Sequence, residues 1–153
     1  MRILTIILII KLIFLSSCGY RVINKISDYN FKINNTEFSG NDKINRNFEK
    51  FFLRLGYEEN PEKYYDINFK SNLIKKTTSK NTAGEDSSYS IKIEAKMDIL
   101  ENGEIIDNIK FNKSISYNNL SSKFELKQYE NVLIKDLSDQ IIIEINSYFE
   151  TLR

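Results

Sequence analysis

Histidine is missing from this chain altogether, and cysteine and proline each occur only once. Without histidine no Ser-His-Asp triad can form, and the commonest general base and metal ligand are gone. A lone cysteine, Cys18, excludes an intramolecular disulfide and a thiolate metal site. Five glycines and the single Pro61 leave no flexible or stiff linker, and Gly84 and Gly103 are isolated rather than part of a phosphate-cradling loop. The acidic residues are scattered; Glu58, Glu59 and Glu62 read as solvated loop charges rather than as paired catalytic carboxylates. The expectation is a protein that is not an enzyme and needs no cofactor or metal. Charge of one sign is also lacking. Setting aside residues 1–17 removes Arg2 and Lys11 and leaves 20 basic against 21 acidic residues. A nucleic-acid partner, which calls for a basic excess, is not expected. Alanine occurs only at Ala83 and Ala95, while Ile, Asn and Lys abound. Apolar periodicity nevertheless persists, so this reads as coding bias in a folded chain rather than as disorder. There is no internal repeat.

What is present begins at the N-terminus. Arg2 opens a basic start, Ile3 to Leu15 form an apolar run, and Leu15-Ser16-Ser17-Cys18 follows. The run is shorter than the ~20 residues needed to cross about 30 Å of hydrocarbon, and Lys11 interrupts it. No Ala-x-Ala-like site of ordinary secretion follows. Small residues before a cysteine are the pattern of a bacterial lipoprotein signal, in which the thiol takes a diacylglyceryl group and the new amine an acyl chain. Residues 1–17 are therefore expected to be a lipoprotein signal peptide, Cys18 the lipidation site, 18–27 a lipidated tether, and 28–153 a single domain of ordinary size.

Within the domain, Tyr29, Phe31 and Ile33 alternate with polar residues as a half-buried strand does. Ser39-Gly40-Asn41-Asp42 reads as a turn and helix N-cap. Ile44, Phe48, Phe51, Phe52 and Leu55 recur at helical spacing, with Gly56 at the expected C-terminal cap. After Pro61 a second strand shows Tyr65, Ile67, Phe69, Ser71 and Leu73 on one face. It ends in a polar stretch, Lys75 to Ser88, either a flexible hairpin tip or a ragged strand extension. Tyr89, Ile91, Ile93, Ala95, Met97 and Ile99 mark the third strand; Ile105, Ile109, Phe111, Ile115 and Tyr117 mark the fourth. For the loop between them, a three-residue turn with Gly103 left-handed sets Ile99 against Ile105, Ala95 against Ile109 and Ile93 against Phe111, with Glu94 across from Lys110. A two-residue Asn-Gly turn would turn one apolar face outward, so the three-residue loop is expected. Lys113, opposite Ile91 in that register, is the misfit: it snorkels at the sheet margin or marks a bulge. Ser122 and Glu125 have capping-box spacing. Leu126, Tyr129, Leu133, Leu137, Ile141, Ile145 and Tyr148 then form one helical stripe, which Ile134, Ile142 and Ile143 widen beyond what a single sheet covers. That width reads either as a deeply buried helix or as a helix that also meets a partner protein. The expected fold is α+β, a two-layer sandwich: a four-stranded mixed sheet with two helices on one face, in the order β-α-β-β-β-α.

Cys18-Gly19-Tyr20 resembles the Cys-Gly-aromatic start of mature LptE (RlpB) lipoproteins of Gram-negative outer membranes. The strand Tyr89-Ser90-Ile91-Lys92-Ile93, the Asn102-Gly103 turn and the turn Asp136-Leu137-Ser138-Asp139-Gln140-Ile141 in the closing helix are similar to that family's C-terminal half. The order of elements resembles it over nearly the whole chain, although Arg21 follows the aromatic residue directly and the closing helix lacks the family's alanines. The resemblance implies an outer-membrane lipoprotein that plugs the LptD β-barrel and helps it assemble in the lipopolysaccharide translocon. Gly19, where an Asp would signal inner-membrane retention, agrees with that destination. A different periplasm-facing lipoprotein, acting as adaptor or lipid carrier, is the other reading. Lys75, Lys76 and Lys80 gather at one hairpin end, with Lys92 and Lys96 on the neighbouring outer face. The ammonium groups of the tip, Lys75, Lys76 and Lys80, are candidates for lipopolysaccharide phosphates, against the plainer reading of a solvated, lysine-rich tip.

Overall fold

The computed structural model describes residues 29–55 and 61–152. The signal segment, Cys18, the tether and the Gly56 cap lie outside the described residues. The elements are β1 (Phe31–Gly40), α1 (Asp42–Phe52), β2 (Lys63–Lys80), β3 (Asp86–Glu101), β4 (Glu104–Asn118) and α2 (Lys123–Thr151). The strands lie in the order β1-β2-β3-β4. β1 runs parallel to β2 through the α1 crossover, and the other neighbours are antiparallel hairpins. This is the expected mixed sheet, with both helices on one face.

Among the described residues only that face is covered, and the strands alternate accordingly. On β3, Ile91, Ile93, Ala95, Met97 and Ile99 are buried while the residues between them are only half-buried. β1 departs from simple alternation. A bulge between Ile33 and Asn35 reverses its parity, so Phe31 and Ile33 pair with Lys63 and Tyr65, but Thr36 and Phe38 pair with Ile67 and Phe69. One extra residue thereby keeps both halves of a ten-residue strand on the core.

The turn into α1 is built on Gly40, whose φ of +93° favours glycine; a Cβ there would lie 1.9 Å from the Ser71 carbonyl oxygen. The same carbonyl accepts from the Asn41 N–H at 3.1 Å. The Asn41 side chain then caps the helix by accepting from the Ile44 N–H at 3.2 Å. Beneath this turn, Ser71 Oγ donates to Asn45 Oδ1 at 2.6 Å and the Asn45 amide donates to the Ser39 carbonyl at 3.1 Å. These polar groups are buried yet partnered, and they tie α1 to the end of β1 and the middle of β2. Ile44, Phe48 and Phe52 bury the helix face, and the Phe48 ring sits 4.5 Å from that of Phe69.

The β3–β4 hairpin corrects the expected register. Glu101 pairs with Glu104 across a two-residue Asn102-Gly103 turn, both residues at positive φ (54° and 85°). The pairing then shifts between Ile99 and Leu100, where Ile106 is the extra residue opposite; beyond it Met97 faces Ile109, Ala95 faces Phe111 and Ile91 faces Ile115. The bulge restores the parity that the two-residue turn alone would have broken. Glu94 consequently faces Asn112, not Lys110. Lys113 stands opposite Ile93 and reaches Glu144 of α2 as an ion pair at the margin of the core.

α2 starts at Ser122, whose Oγ accepts from the Glu125 N–H at 3.3 Å. Its 29 residues span about 43 Å at 1.5 Å each. Leu133, Ile134, Leu137, Ile141, Ile145 and Phe149 are buried against the sheet. Phe149, outside the expected stripe, packs on Phe31 with ring centroids 5.3 Å apart. Each such side chain contributes about 1.5–3 kcal/mol by leaving water.

Candidate functional site

The polar stretch after Leu73 is a paired strand extension. β2 runs to Lys80 and β3 starts at Asp86, and Asn81 closes the turn by accepting from the Ala83 and Glu85 N–H groups at 3.0 and 2.9 Å. Hydroxyls bridge the strands, Thr78 to Ser88 and Ser79 to Ser87 at 2.6 Å each. Two-residue alternation therefore sends the three tip lysines different ways. Lys75 lies on the helix side, donates to Glu130 at 2.6 Å and sits 4.3 Å over the Tyr89 ring. Lys76 shares the opposite, open face with Lys92 and Lys96 by strand parity, and Lys80 ends the strand. Lys75 is thus engaged in the fold, while Lys76 and Lys80 are exposed.

Lys75 belongs to a small network beside the core. Tyr117 donates to the same Glu130 oxygen at 2.7 Å. Burial by itself would raise the Glu130 pKa, but the hydrogen bonds from Lys75 and Tyr117 outweigh it and hold the carboxyl below its usual range. Burial, then the Glu130 hydrogen bond and charge, push the Tyr117 phenol well above its ordinary value. At the other end of the sheet Tyr148 donates to Asp107, whose carboxyl is lowered by that bond. Both networks fasten α2 to the sheet.

The open face is where lysines, amides and carboxylates collect. Lys96 of β3 lies directly opposite Lys70 of β2 and Lys110 of β4. Lys70, Asn72, Lys92, Glu94, Lys96, Lys110 and Asn112 surround a shallow concavity of about 500 Å³. Lys92 holds Glu94 at 2.6 Å and lowers its pKa; Lys96 holds Asp98 at 2.9 Å. Sequence reasoning placed Lys92, Lys96 and Lys110 on this outer face and Lys70 among the outward residues of its strand, but set Lys110 against Glu94 and so did not bring Lys70, Lys96 and Lys110 into one row. Lys70 was legible from the alternation around Phe69; that Lys110 stands beside Lys96 rather than Glu94 needed the correct register. On the far side of α2, Val132 and Ile143 are exposed, as is Phe124 in the first turn. The wide apolar face of α2 is thus mostly core, with a few residues left outside. Among the described residues no three His, Cys, Asp or Glu side chains gather as metal ligands would, and no helix is long and apolar enough to cross a membrane.

No family model matches the chain, and no curated protein matches it in sequence. Solved structures do match in shape. Rare lipoprotein B of Shewanella oneidensis superposes with a TM-score of 0.53 at 15% identity, over 78% of this chain and 98% of that one. The fold is that of rare lipoprotein B. A minor lipoprotein of Acinetobacter baumannii is similar too, with a TM-score of 0.55 at 15% identity over 78% of this chain and 92% of that one. Among the described residues nothing packs on the sheet's outer face, so the lysine-lined concavity lies on the surface that they form.

Proposed function

We propose that this chain is an envelope lipoprotein of the LptE (RlpB) kind, anchored in the outer membrane by acylated Cys18. In this reading it plugs an LptD-like β-barrel, helps it assemble, and serves lipopolysaccharide insertion without catalysing a reaction. The observation that carries the reading is the shape match, which takes in nearly all of rare lipoprotein B. The Leu15-Ser16-Ser17-Cys18 signal and the Cys-Gly-aromatic start support it independently. A plug asks for a rigid body, a tether and faces that fit a wall. A long helix fastened to a four-stranded sheet supplies the rigidity, and acyl chains on Cys18 exceed the two signals that stable anchoring takes. Lipopolysaccharide contact, if made at the hairpin end, falls to Lys76 and Lys80, since Lys75 is held by Glu130.

The test is co-purification after crosslinking from residues of the folded domain in intact cells. A large outer-membrane barrel trapped with the chain supports the plug; a bound acyl chain and no barrel supports a lipid carrier and overturns it. Cys18→Ser is expected to abolish lipid labelling and membrane retention while the domain stays folded.

A further inference from the structure

Three lysines stand side by side on adjacent strands of the open face, with Lys96 between Lys70 and Lys110. Strands are about 4.8 Å apart, so the row spans roughly 10 Å. Like charges directly opposite each other destabilise a sheet. Lys96 is offset by Asp98, but among the described residues Lys70 and Lys110 have no carboxylate partner. Both border the concavity, with the amides of Asn72 and Asn112 beside them. The one carboxylate there, Glu94, is already neutralised by Lys92. The arrangement is a sheet whose self-repulsion an incoming anion would relieve.

We propose that Lys70, Lys96 and Lys110 form a binding site for a compact phosphoryl anion of the diphosphate type. Ammonium groups suit phosphoryl oxygens as point charges on flexible stems, and charge-assisted hydrogen bonds are the strong ones. Three ammonium groups on flexible stems, borne on adjacent strands, reach the several charged oxygens of one such anion at once. A flat anionic membrane fits less well: Glu37 and Asp66 lie on the same face of β1 and β2, so a planar surface would press on them as well. The site is separate from the hairpin-tip lysines and stands whether or not the barrel reading holds, since the chain alone suffices to test it.

Inorganic pyrophosphate titrated into the full chain in detergent solution at constant ionic strength is expected to bind saturably, at one site, and to raise the melting temperature. Lys70→Gln with Lys110→Gln is expected to weaken binding by roughly tenfold or more per lysine removed. Lys50→Gln, on the exposed side of α1, serves as the control and leaves affinity unchanged. Equal affinity in the double variant, or no saturable binding by the wild type, overturns the proposal. So does a preference for phosphatidic acid vesicles over phosphatidylcholine vesicles with no response to pyrophosphate, which would assign the row to a membrane surface.

Discussion

The two faces of the sheet carry the same strands and opposite chemistry. Under the helices, Ile67, Phe69, Ile93, Met97 and Ile99 are sealed from water and their neighbours are aromatic. On the open side, the residues one step along are mostly charged or amide: Asp66, Asn68, Lys70, Lys92, Glu94, Lys96 and Asp98. The covered face holds the fold together through area and packing; the open face contributes little to stability and is free to be chosen for what it meets. Substitutions should separate the two sharply.

The largest effect is expected at Phe69, whose ring touches those of Phe38, Phe48 and Phe52. Phe69→Ala should cost about 3–5 kcal/mol in denaturant unfolding, because the long strands around it cannot collapse into the space. Gly40→Ala comes next. It places a methyl against the Ser71 carbonyl at a φ of +93°, so a loss above about 1 kcal/mol is expected, with the α1 amides near Asn41 exchanging faster. A third effect is pH-dependent. The Glu130 carboxyl titrates below its ordinary value of 4.5 in the folded state. Its contribution is therefore present in full above that value and fades as pH falls through the folded pKa. Glu130→Gln should flatten the acid limb of the stability profile and lower stability at pH 7. The smallest effect is expected on the open face, where Lys110→Gln should change stability by no more than about 0.5 kcal/mol and in the stabilising direction, by easing repulsion with Lys96. A large loss there would break the division between the faces.

Much of the covered face could be read from the sequence, because period-two and helical spacing report burial directly. The elements, their order and most core residues followed from Tyr65 to Phe69, Ile91 to Ile99 and Leu133 to Ile145. Register was harder. The expected and observed β3–β4 pairings both keep the apolar residues on one face, so alternation cannot choose between them. The choice rests on one extra residue at Ile106 and on Asn102 adopting a positive φ. The bulge at Asn34 is invisible for the same reason, and it decides that Phe38 is packed. Phe149 follows Ile145 by four residues as legitimately as Tyr148 does by three; only the position of Phe31 favours it. The lysine row was half legible, since its members come from three strands and meet only in the folded register. The Ser71–Asn45–Ser39 cluster left no sequence signal, because isolated polar residues on a strand and a helix do not announce that they share a turn.

Site-specific crosslinking in cells tests the central claim most directly, with one probe replacing Lys96 on the open face and another replacing Ile143 on the outer side of α2. A plug is surrounded by its barrel, so both probes should trap the same large outer-membrane β-barrel, and Cys18→Ser should reduce the yield. Adducts from neither position, or adducts only to soluble periplasmic proteins, would contradict the account.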